Sequence, residues 1–251
     1  MIGSDNCNIS NFNKVQQGLK MAKRPVFLSS KTPPFWIKEE EVEFKWHSGF
    51  AVSQKQKSIA ELHKNAKQID PSVKILEISS KSPTALGVKL SAFNLGFFAQ
   101  NKTNIAVENI FQGSKVFEKA GPFNDLYLCS PIEAKRDIRL KKSGELTHFQ
   151  YESQTWPLIP ITAFYDWIYI NALIQNGDLA KQLLKYDAFT DIEFNPKKSL
   201  NCQAKSAALF VSLHYSSTLD FVLQSPHLFI EHLKEKFGTP SIKNRKQPSL
   251  F

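Results

Sequence analysis

The sequence has few cysteines, no long apolar run and no metal-binding spacing, and each absence argues against a class of protein. Its three cysteines, Cys7, Cys129 and Cys202, form no CxxC pair, so we expect no disulfide framework. The six histidines show neither HxxxH nor HExxH spacing, which argues against a bound metal. No segment approaches the ~18 apolar residues of a membrane span, and no signal peptide is visible. We therefore expect a cytoplasmic protein that needs no metal or cofactor and does not bind a membrane.

Basic residues outnumber acidic residues in this sequence. The chain has 32 lysines and arginines against 23 aspartates and glutamates, a net charge of +9. This charge favours anionic partners such as nucleic acid, nucleotides or an acidic protein, although an ordinary basic surface explains it equally well. With 42% hydrophobic residues, the chain of 251 residues can still form a sizeable core.

Changes in composition divide the chain into three parts. Residues 1–22 are polar and rich in Asn and Gln, and we predict a flexible N-terminal extension there. Residues 23–238 carry the regular patterns expected of one folded domain. Residues 239–251 form a basic C-terminal tail.

Hydrophobic periodicity locates the main elements of the central part. Strands are predicted over 41–46, 74–78, 86–95 and 146–151, and helices are predicted to begin at Ser53, Ile161 and Pro226. The segment 187–201 is polar and irregular, and it leads into a helix that Ser199 would cap. About six helices that do not alternate regularly with the strands indicate the α+β class.

The stretch from Val107 to Phe123 begins like a buried strand and continues like a helix. On that helix Glu108, Gln112 and Lys115 fall at positions i, i+4 and i+7, in one stripe roughly 10 Å long. A carboxylate, an amide and an amine at this spacing could hold two parts of one ligand. Alternatively, the apolar neighbours pack inward and the three polar side chains simply face water.

Two other segments offer candidate ligand-binding groups. The polar loop before the predicted helix holds Asp191 and Glu193 and reaches Asn201, where the N–H groups of a helix start favour phosphate. Further back, Phe93 could stack on a base or sugar, and Asn94 could hold a hydroxyl. Each segment alone also fits a solvated loop.

These residues resemble the signature of the NADAR superfamily. Residues 90–93 (LSAF) and 108–115 (ENIFQGSK) are similar to its L-S-N-F and E-H-x-F-Q-x-x-K segments. Residues 191–201 are similar in spacing to a later NADAR loop that ends in an Asn at a helix start. The chain differs at Asn109, where His is usual, at Ala92, where Asn is usual, and in lacking the Trp-Gly of the later loop.

Longer stretches such as FQGSKVFE and TAFYDWIYINAL resemble the NADAR antitoxins encoded beside DarT-type DNA ADP-ribosyltransferase toxins. The resemblance implies a mostly helical NADAR-like single domain with a few short strands. It also implies an ADP-ribosyl glycohydrolase that removes ADP-ribose from guanine bases of DNA and so reverses the toxin. The implied partners are ADP-ribosylated DNA, the product ADP-ribose and the cognate DarT-type toxin.

The resemblance and the chemistry of glycosidic cleavage together suggest a role for each candidate residue. Glu108 and Asp191 are the candidate carboxylates, because a carboxylate near the ribose stabilises its positive charge or activates water. Lys115 would either bind a phosphate or hydroxyl, or form a Schiff base with ring-opened ribose. The predicted substrate-binding residues are Phe93, Asn94, Phe111, Gln112, Glu193 and Asn201.

Two other functions fit the same sequence. One is an N-glycosidase that acts on a small nucleotide or a riboflavin-pathway metabolite, and activity on nucleosides but not on modified DNA would favour it. The other is a non-catalytic antitoxin that only binds ADP-ribose or the toxin. Residues 41–70 lie outside the NADAR-like segments and could contact DNA or the toxin.

Overall fold

The computed structural model describes residues 20–98, 104–197 and 199–237. The strands are β1 (Met21–Ser29), β2 (Ile37–Lys45), β3 (Ile75–Glu77), β4 (Gly96–Phe98), β5 (Asn104–Ala106), β6 (Lys115–Phe117), β7 (Leu146–Tyr151), β8 (Gln154–Trp156) and β9 (Ala188–Thr190). The helices are α1 (Val52–Ala66), α2 (Ala85–Lys89), α3 (Val107–Gly113), α4 (Pro131–Arg136), α5 (Arg139–Lys142), α6 (Ala163–Gln175), α7 (Gly177–Leu183), α8 (Gln203–Tyr215), α9 (Leu219–Val222) and α10 (Pro226–Phe237), with a 3-10 helix at Asn124–Leu128. This mixture confirms the α+β class.

The largest sheet has the strand order β2-β1-β9-β3. β1 and β2 form a long antiparallel hairpin, and β9 runs antiparallel to β1 but parallel to β3. The C-terminal ends of β3 and β9 therefore meet at one edge of the sheet. Successive side chains of β1 face opposite sides: Val26 joins a small core with Ile59 and Leu62 of α1, whereas Phe27 joins the larger core on the other side.

The larger core surrounds α6 and α8, which are buried over most of their length. Helices that are apolar on nearly all sides are expected in the interior rather than on the surface. On α6, Tyr165 packs edge-on against Phe111 of α3 with ring centroids 5.2 Å apart. Also on α6, the Tyr169 hydroxyl donates to the Leu90 carbonyl at 2.8 Å. These contacts place α3 and the turn after α2 side by side.

The predicted strands in β2, β3 and β7 and the predicted helix in α6 are confirmed. The expected start of α10 is also confirmed, because the Ser225 hydroxyl accepts a hydrogen bond from the Leu228 backbone N–H at 3.2 Å. The Gly expected to end α10, residue 238, lies outside the described residues, as do residues 1–19 and the tail 239–251. In the part of the chain that the structure describes, no helix is long and apolar enough to cross a membrane.

The prediction of a strand over 86–95 is wrong. This segment contains the short helix α2 and then a turn, and the Thr84 hydroxyl caps the helix by accepting from the Gly87 backbone N–H at 3.1 Å. A helix of 5 residues covers too few turns for its hydrophobic period to be distinguished from alternation.

Two predicted helix caps are also wrong. α1 begins at Val52 with Ala51 as its N-cap, so Ser53 lies inside the helix. α8 begins at Gln203 with Cys202 as its N-cap, and Ser199 lies before the helix. Neither helix has a side-chain cap, which shows that packing of the helix faces sets these starts.

Two strands of the largest sheet have no counterpart in the sequence-based prediction. β1 begins at Met21, so residues 21 and 22 of the predicted extension are paired with β2. β9 lies at the start of the segment 187–201, which looked irregular because polar residues follow the strand directly. All three residues of β9 are buried between β1 and β3.

A matched pair of glycine substitutions tests the packing of α2 against β3. A Cβ atom on Gly87 would clash with the Glu77 carbonyl oxygen and the Ser82 hydroxyl, whereas a Cβ on Gly177 would meet nothing within 4 Å. We expect Gly87→Ala to lower the free energy of unfolding by roughly 3 kcal/mol. Gly177→Ala should leave it unchanged or raise it by up to about 1 kcal/mol. Urea denaturation of both variants measures the difference, and equal midpoints would contradict the described packing.

Candidate active site

A cavity of about 430 Å³ opens where the C-terminal ends of β3 and β9 meet the starts of α3 and α8. This volume is in the range of small-molecule sites. Most of the predicted site residues line it, namely Phe93, Glu108, Phe111, Gln112, Asp191, Glu193 and Asn201. Lys115 and Asn94 do not line it. Residues that come from separate parts of the chain therefore meet in one place.

One wall of the cavity is formed by α3. The Glu108 backbone N–H donates to the Ala92 carbonyl at 3.0 Å, which fixes the helix start against the turn after α2. The Gln112 side-chain Nε2 donates to the Glu108 carboxylate at 2.8 Å, as expected for positions i and i+4. Both side chains are buried, and within the described structure the other amide atom, Gln112 Oε1, is buried without a hydrogen-bond donor.

Lys115 does not continue the helical stripe. α3 ends at Gly113, and Lys115 is the first residue of β6, where it pairs with Phe149 of β7. Its side chain is fully buried, and the ammonium nitrogen lies 4.7 Å from the centroid of the Phe111 ring. Burial lowers the pKa of Lys115 from 10.5 to about 7, while the negative charge of Glu108 opposes this shift. Lys115 therefore contacts a ring of the cavity wall and interacts electrostatically with Glu108.

Phe93 lies beside a cation from α4. Lys135 of α4 lines the cavity, with its Nζ 5.0 Å from the Phe93 ring centroid and 3.8 Å from a Glu108 carboxylate oxygen. α4 is held in place by a capping box between Ser130 and Glu133. The basic run of this segment gave no hint that one of its lysines points inward.

Asn94 lies outside the cavity. Its side chain is exposed and its Nδ2 donates to the Val88 carbonyl at 2.8 Å, so it closes the turn after α2. The prediction that Asn94 binds substrate assumed an extended segment at 86–95. In the turn that exists there, Phe93 faces the cavity and Asn94 faces solvent.

The opposite wall is the loop after β9. One Asp191 carboxylate oxygen accepts hydrogen bonds from the backbone N–H groups of Glu193 and Phe194, at 2.9 and 3.2 Å. Burial raises the pKa of Asp191 to about 8, and the negative charge of Glu77 acts in the same direction. Asp191 is thus a candidate proton donor near neutral pH. Glu193 lies at the rim, exposed, and accepts a hydrogen bond from the Ser80 hydroxyl at 3.0 Å.

Glu77, at the end of β3, is a buried carboxylate that the sequence analysis missed. It accepts hydrogen bonds from the Thr190 hydroxyl at 2.6 Å and from the Ile192 backbone N–H at 2.8 Å. Burial raises its pKa. The Thr190 hydroxyl in turn lies 2.8 Å from His63 Nε2, and since that hydroxyl donates to Glu77, the histidine must donate to it. A charged residue inside the apolar KILEI strand was the available signal.

Gln203, the first residue of α8, is the second residue that was missed. Its Nε2 donates to the Ile78 carbonyl at 2.8 Å and to Asp191 at 3.0 Å, and its Oε1 accepts from the Ala92 backbone N–H at 2.7 Å. Nearby, Asn201 Oδ1 is a second buried acceptor on the cavity wall that has no donor within the described structure.

The substitution at Asn109 is explained by local packing. Its side-chain Nδ2 donates to the carbonyls of Leu126 and Cys129 at 2.7 and 2.8 Å, which holds the 3-10 helix against α3. Asn109 does not line the cavity. Among the described residues, no group of three His, Cys, Asp or Glu side chains could hold a metal ion.

Replacement of Lys115 tests its lowered pKa. Between about pH 7 and pH 10 the unfolded chain binds a proton at Lys115 that the folded protein does not. The free energy of unfolding of the wild type should therefore rise with pH, relative to Lys115→Met, by up to about 1.4 kcal/mol per pH unit. Urea denaturation at several pH values measures this slope. The exposed Lys141→Met is the control and should run parallel to the wild type; a parallel curve for Lys115→Met would show that the pKa is ordinary.

Comparison with known protein families identifies the family of this chain. The model of the DarT1-associated NADAR antitoxin family matches residues 22–242, which include every residue of the cavity wall. No curated protein matches the chain. Because the family model covers most of the 251 residues, the chain belongs to the family of DarT1-associated NADAR antitoxins.

Proposed function

We propose that this protein is an antitoxin that hydrolyses the N-glycosidic bond between ADP-ribose and guanine bases of DNA, and so reverses a DarT-type toxin. The observation that carries the proposal is the pair of buried amide oxygens on residues that line the cavity: Gln112 Oε1 on the α3 wall, beside Glu108, and Asn201 Oδ1 just before α8. Buried acceptors without donors are costly. Their presence on a cavity wall favours a ligand that brings hydroxyl groups.

A ribose supplies the required hydrogen-bond donors. Its hydroxyls can donate to Gln112 Oε1 and Asn201 Oδ1 and replace the missing partners. Gln112 cannot reverse its amide without losing the bond that its Nε2 donates to Glu108, so its oxygen keeps its orientation. A ribose bound to Gln112 would therefore lie next to the Glu108 carboxylate.

The two carboxyl groups of the site are suited to different steps. When the bond from the ribose to the guanine nitrogen breaks, positive charge develops on the sugar, and the Glu108 carboxylate would stabilise it or activate the attacking water. Asp191, whose pKa is raised to about 8, would carry a proton at neutral pH and could donate it to the departing base. Carboxyl groups in different environments commonly divide the acid and base roles in this way.

The remaining residues of the cavity wall could contact the phosphates, the base and the apolar side of the sugar. Phe93 offers an apolar face, and the cation of Lys135 next to it can bind a phosphate oxygen. Glu193 at the rim would accept from a sugar hydroxyl or a base amine. Phe111 would hold the sugar from the apolar side.

Lys115 has two candidate roles in this proposal. In the described arrangement it lies against the Phe111 ring and does not line the cavity, which favours an electrostatic action on Glu108. With a pKa lowered to about 7, however, much of it would be the neutral amine that Schiff-base formation requires. Phe111 would have to move for the covalent role.

The DNA substrate and the toxin partner are supported by the family and by the charge. The family is named for its association with the DarT1 toxin. The net charge of +9 favours binding to a nucleic acid.

Release of ADP-ribose from a guanine-ADP-ribosylated oligonucleotide tests the proposal. We expect Glu108→Gln to lower the rate roughly 10²- to 10⁴-fold, because the variant keeps the acceptor for Gln112 but loses the negative charge. Glu235→Gln, on the exposed face of α10, is the matched control and should retain full activity. Chromatography measures the released ADP-ribose. If both variants are folded and only Glu108→Gln loses activity, the loss of activity is assigned to the site.

Three outcomes would point elsewhere. Cleavage of ADP-ribosylated nucleosides but not of the oligonucleotide would favour a metabolite N-glycosidase. Toxin neutralisation that survives in Glu108→Gln would favour an antitoxin that acts by binding only. No release by the wild type from any ADP-ribosylated substrate would falsify the enzyme proposal.

Borohydride added during turnover distinguishes the two roles of Lys115. In the covalent role, the Nζ amine condenses with the aldehyde of ring-opened ribose and loses water, and hydride then reduces the C=N bond to a stable amine. We expect no adduct on Lys115, because its Nζ does not line the described cavity. Peptide mapping separates Lys115 from Lys135, which does line the cavity. A trapped adduct on Lys115 would establish the covalent role.

A further inference from the structure

A group of basic and aromatic side chains lies on the α1 side of the main sheet, outside the cavity. We call it the basic-aromatic surface and define it by Lys20, Arg24, Trp46, Phe50 and Lys55. It combines the start of β1, the end of β2 and the first turns of α1. None of its members lines the cavity. It falls in the part of the chain that the proposed glycosidic chemistry does not use.

Trp46 organises the cations of this surface. The Lys55 Nζ lies 4.5 Å from the Trp46 ring centroid, and the Arg24 guanidinium carbon lies 5.4 Å from it. The Trp46 backbone N–H donates to the Lys20 carbonyl at 2.7 Å, which places the start of β1 beside the same ring. Contacts of this kind hold two cations in defined positions at little entropic cost.

The positive charges of this surface are not neutralised within the described part of the protein. Lys20, Arg24 and Lys55 have no carboxylate oxygen within 4.0 Å among the described residues. Of the acidic residues of β2, Glu41 and Glu43 alternate with the buried Val42 and Phe44 and so point to the opposite face of the sheet, whereas Glu40 lies on the α1 side, where it pairs with Lys38. The cations of the basic-aromatic surface are therefore available to a negatively charged polymer.

Phe50 supplies an exposed aromatic ring in the chain segment between Trp46 and Lys55. It is fully exposed in the short connection between β2 and α1. The connection itself is anchored, because the His47 backbone N–H donates to the Ser58 hydroxyl at 2.9 Å. A fully exposed ring on an anchored loop beside unpaired cations matches the combination used to bind single-stranded nucleic acids.

The surface lies at the same end of the sheet as the cavity. β1 runs antiparallel to β9, so the start of β1 lies beside the end of β9, from which Asp191 follows. The two ends are close enough for the charge of Asp191 to oppose the lowering of the Arg24 pKa by burial. A DNA strand whose modified base enters the cavity can thus continue onto the basic-aromatic surface.

We propose that the basic-aromatic surface binds the single-stranded DNA that flanks the modified guanine, with Phe50 stacking on a base and Lys55 and Arg24 contacting phosphates. This inference rests on the proposed function, because it takes DNA as the substrate. It adds that the protein acts on unpaired DNA and that recognition extends beyond the ADP-ribosyl group.

Binding of an unmodified, fluorescently labelled single-stranded oligonucleotide to the full chain tests the inference. We expect Phe50→Ala to raise the Kd about tenfold and Phe50→Tyr to leave it near the wild-type value, because stacking needs the ring and not the exact side chain. Lys55→Gln should reduce the slope of log K against log salt by about 0.7, the value for one phosphate contact on a single strand. Phe221→Ala and Lys181→Gln replace exposed residues of the same types on α9 and α7 and serve as controls.

The readouts separate this inference from the proposed function. Cleavage of free ADP-ribosylated guanosine should be the same in Phe50→Ala and in the wild type, since the nucleoside reaches only the cavity. If the wild type releases ADP-ribose from the modified oligonucleotide but does not bind the unmodified one, the inference fails and the glycohydrolase stands. If it binds the oligonucleotide through Phe50 and Lys55 but cleaves nothing, the glycohydrolase fails and the surface stands. Unchanged oligonucleotide binding together with lost toxin neutralisation in Phe50→Ala would overturn the inference in favour of a protein-docking surface.

Discussion

The side-chain amide of Gln203 is the interaction on which the cavity depends most directly. With two donated bonds and one accepted bond, it joins the carbonyl after β3, the carboxylate after β9 and the turn that carries Ala92. Ala92 in turn accepts from the first turn of α3, so both walls are connected through a single side chain. A fully satisfied buried network of this kind specifies one arrangement, because breaking any member leaves a buried polar group without a partner.

The same region contains an unusual amount of buried charge. Glu77, Asp191 and Lys115 are all buried, and each exists in its charged form only at a cost in desolvation. Glu77 is compensated by hydrogen bonds from Thr190 and Ile192, whereas the pKa values of Asp191 and Lys115 move to about 8 and about 7. Groups that titrate near neutral pH in a cavity are typical of sites that transfer protons. The stability lost to burial is therefore consistent with a functional requirement.

The parts of the site that could be predicted are those that local periodicity controls. Glu108 and Gln112 are one helical turn apart, and their side chains meet as the i, i+4 spacing requires. Lys115 was placed on the same stripe, but the helix ends before it, and the pairing of β6 with β7 directs its side chain into the core instead. Asn94 lies outside the cavity for a related reason, since a strand was predicted where the chain forms a short helix and a turn.

The sequence by itself determined the α+β class, the polar stripe of α3, the acidic loop after β9 and, through residues 90–93 and 108–115, the resemblance to NADAR proteins. Only the tertiary structure decided that Lys135 and Gln203 line the same cavity and that the buried carboxylate of Glu77 lies near Asp191. The physical reason is that a pattern in sequence reports neighbours within a few turns or strands. Glu77 and Thr190 are 113 residues apart in the chain, and they meet only because β3 and β9 pair in one sheet.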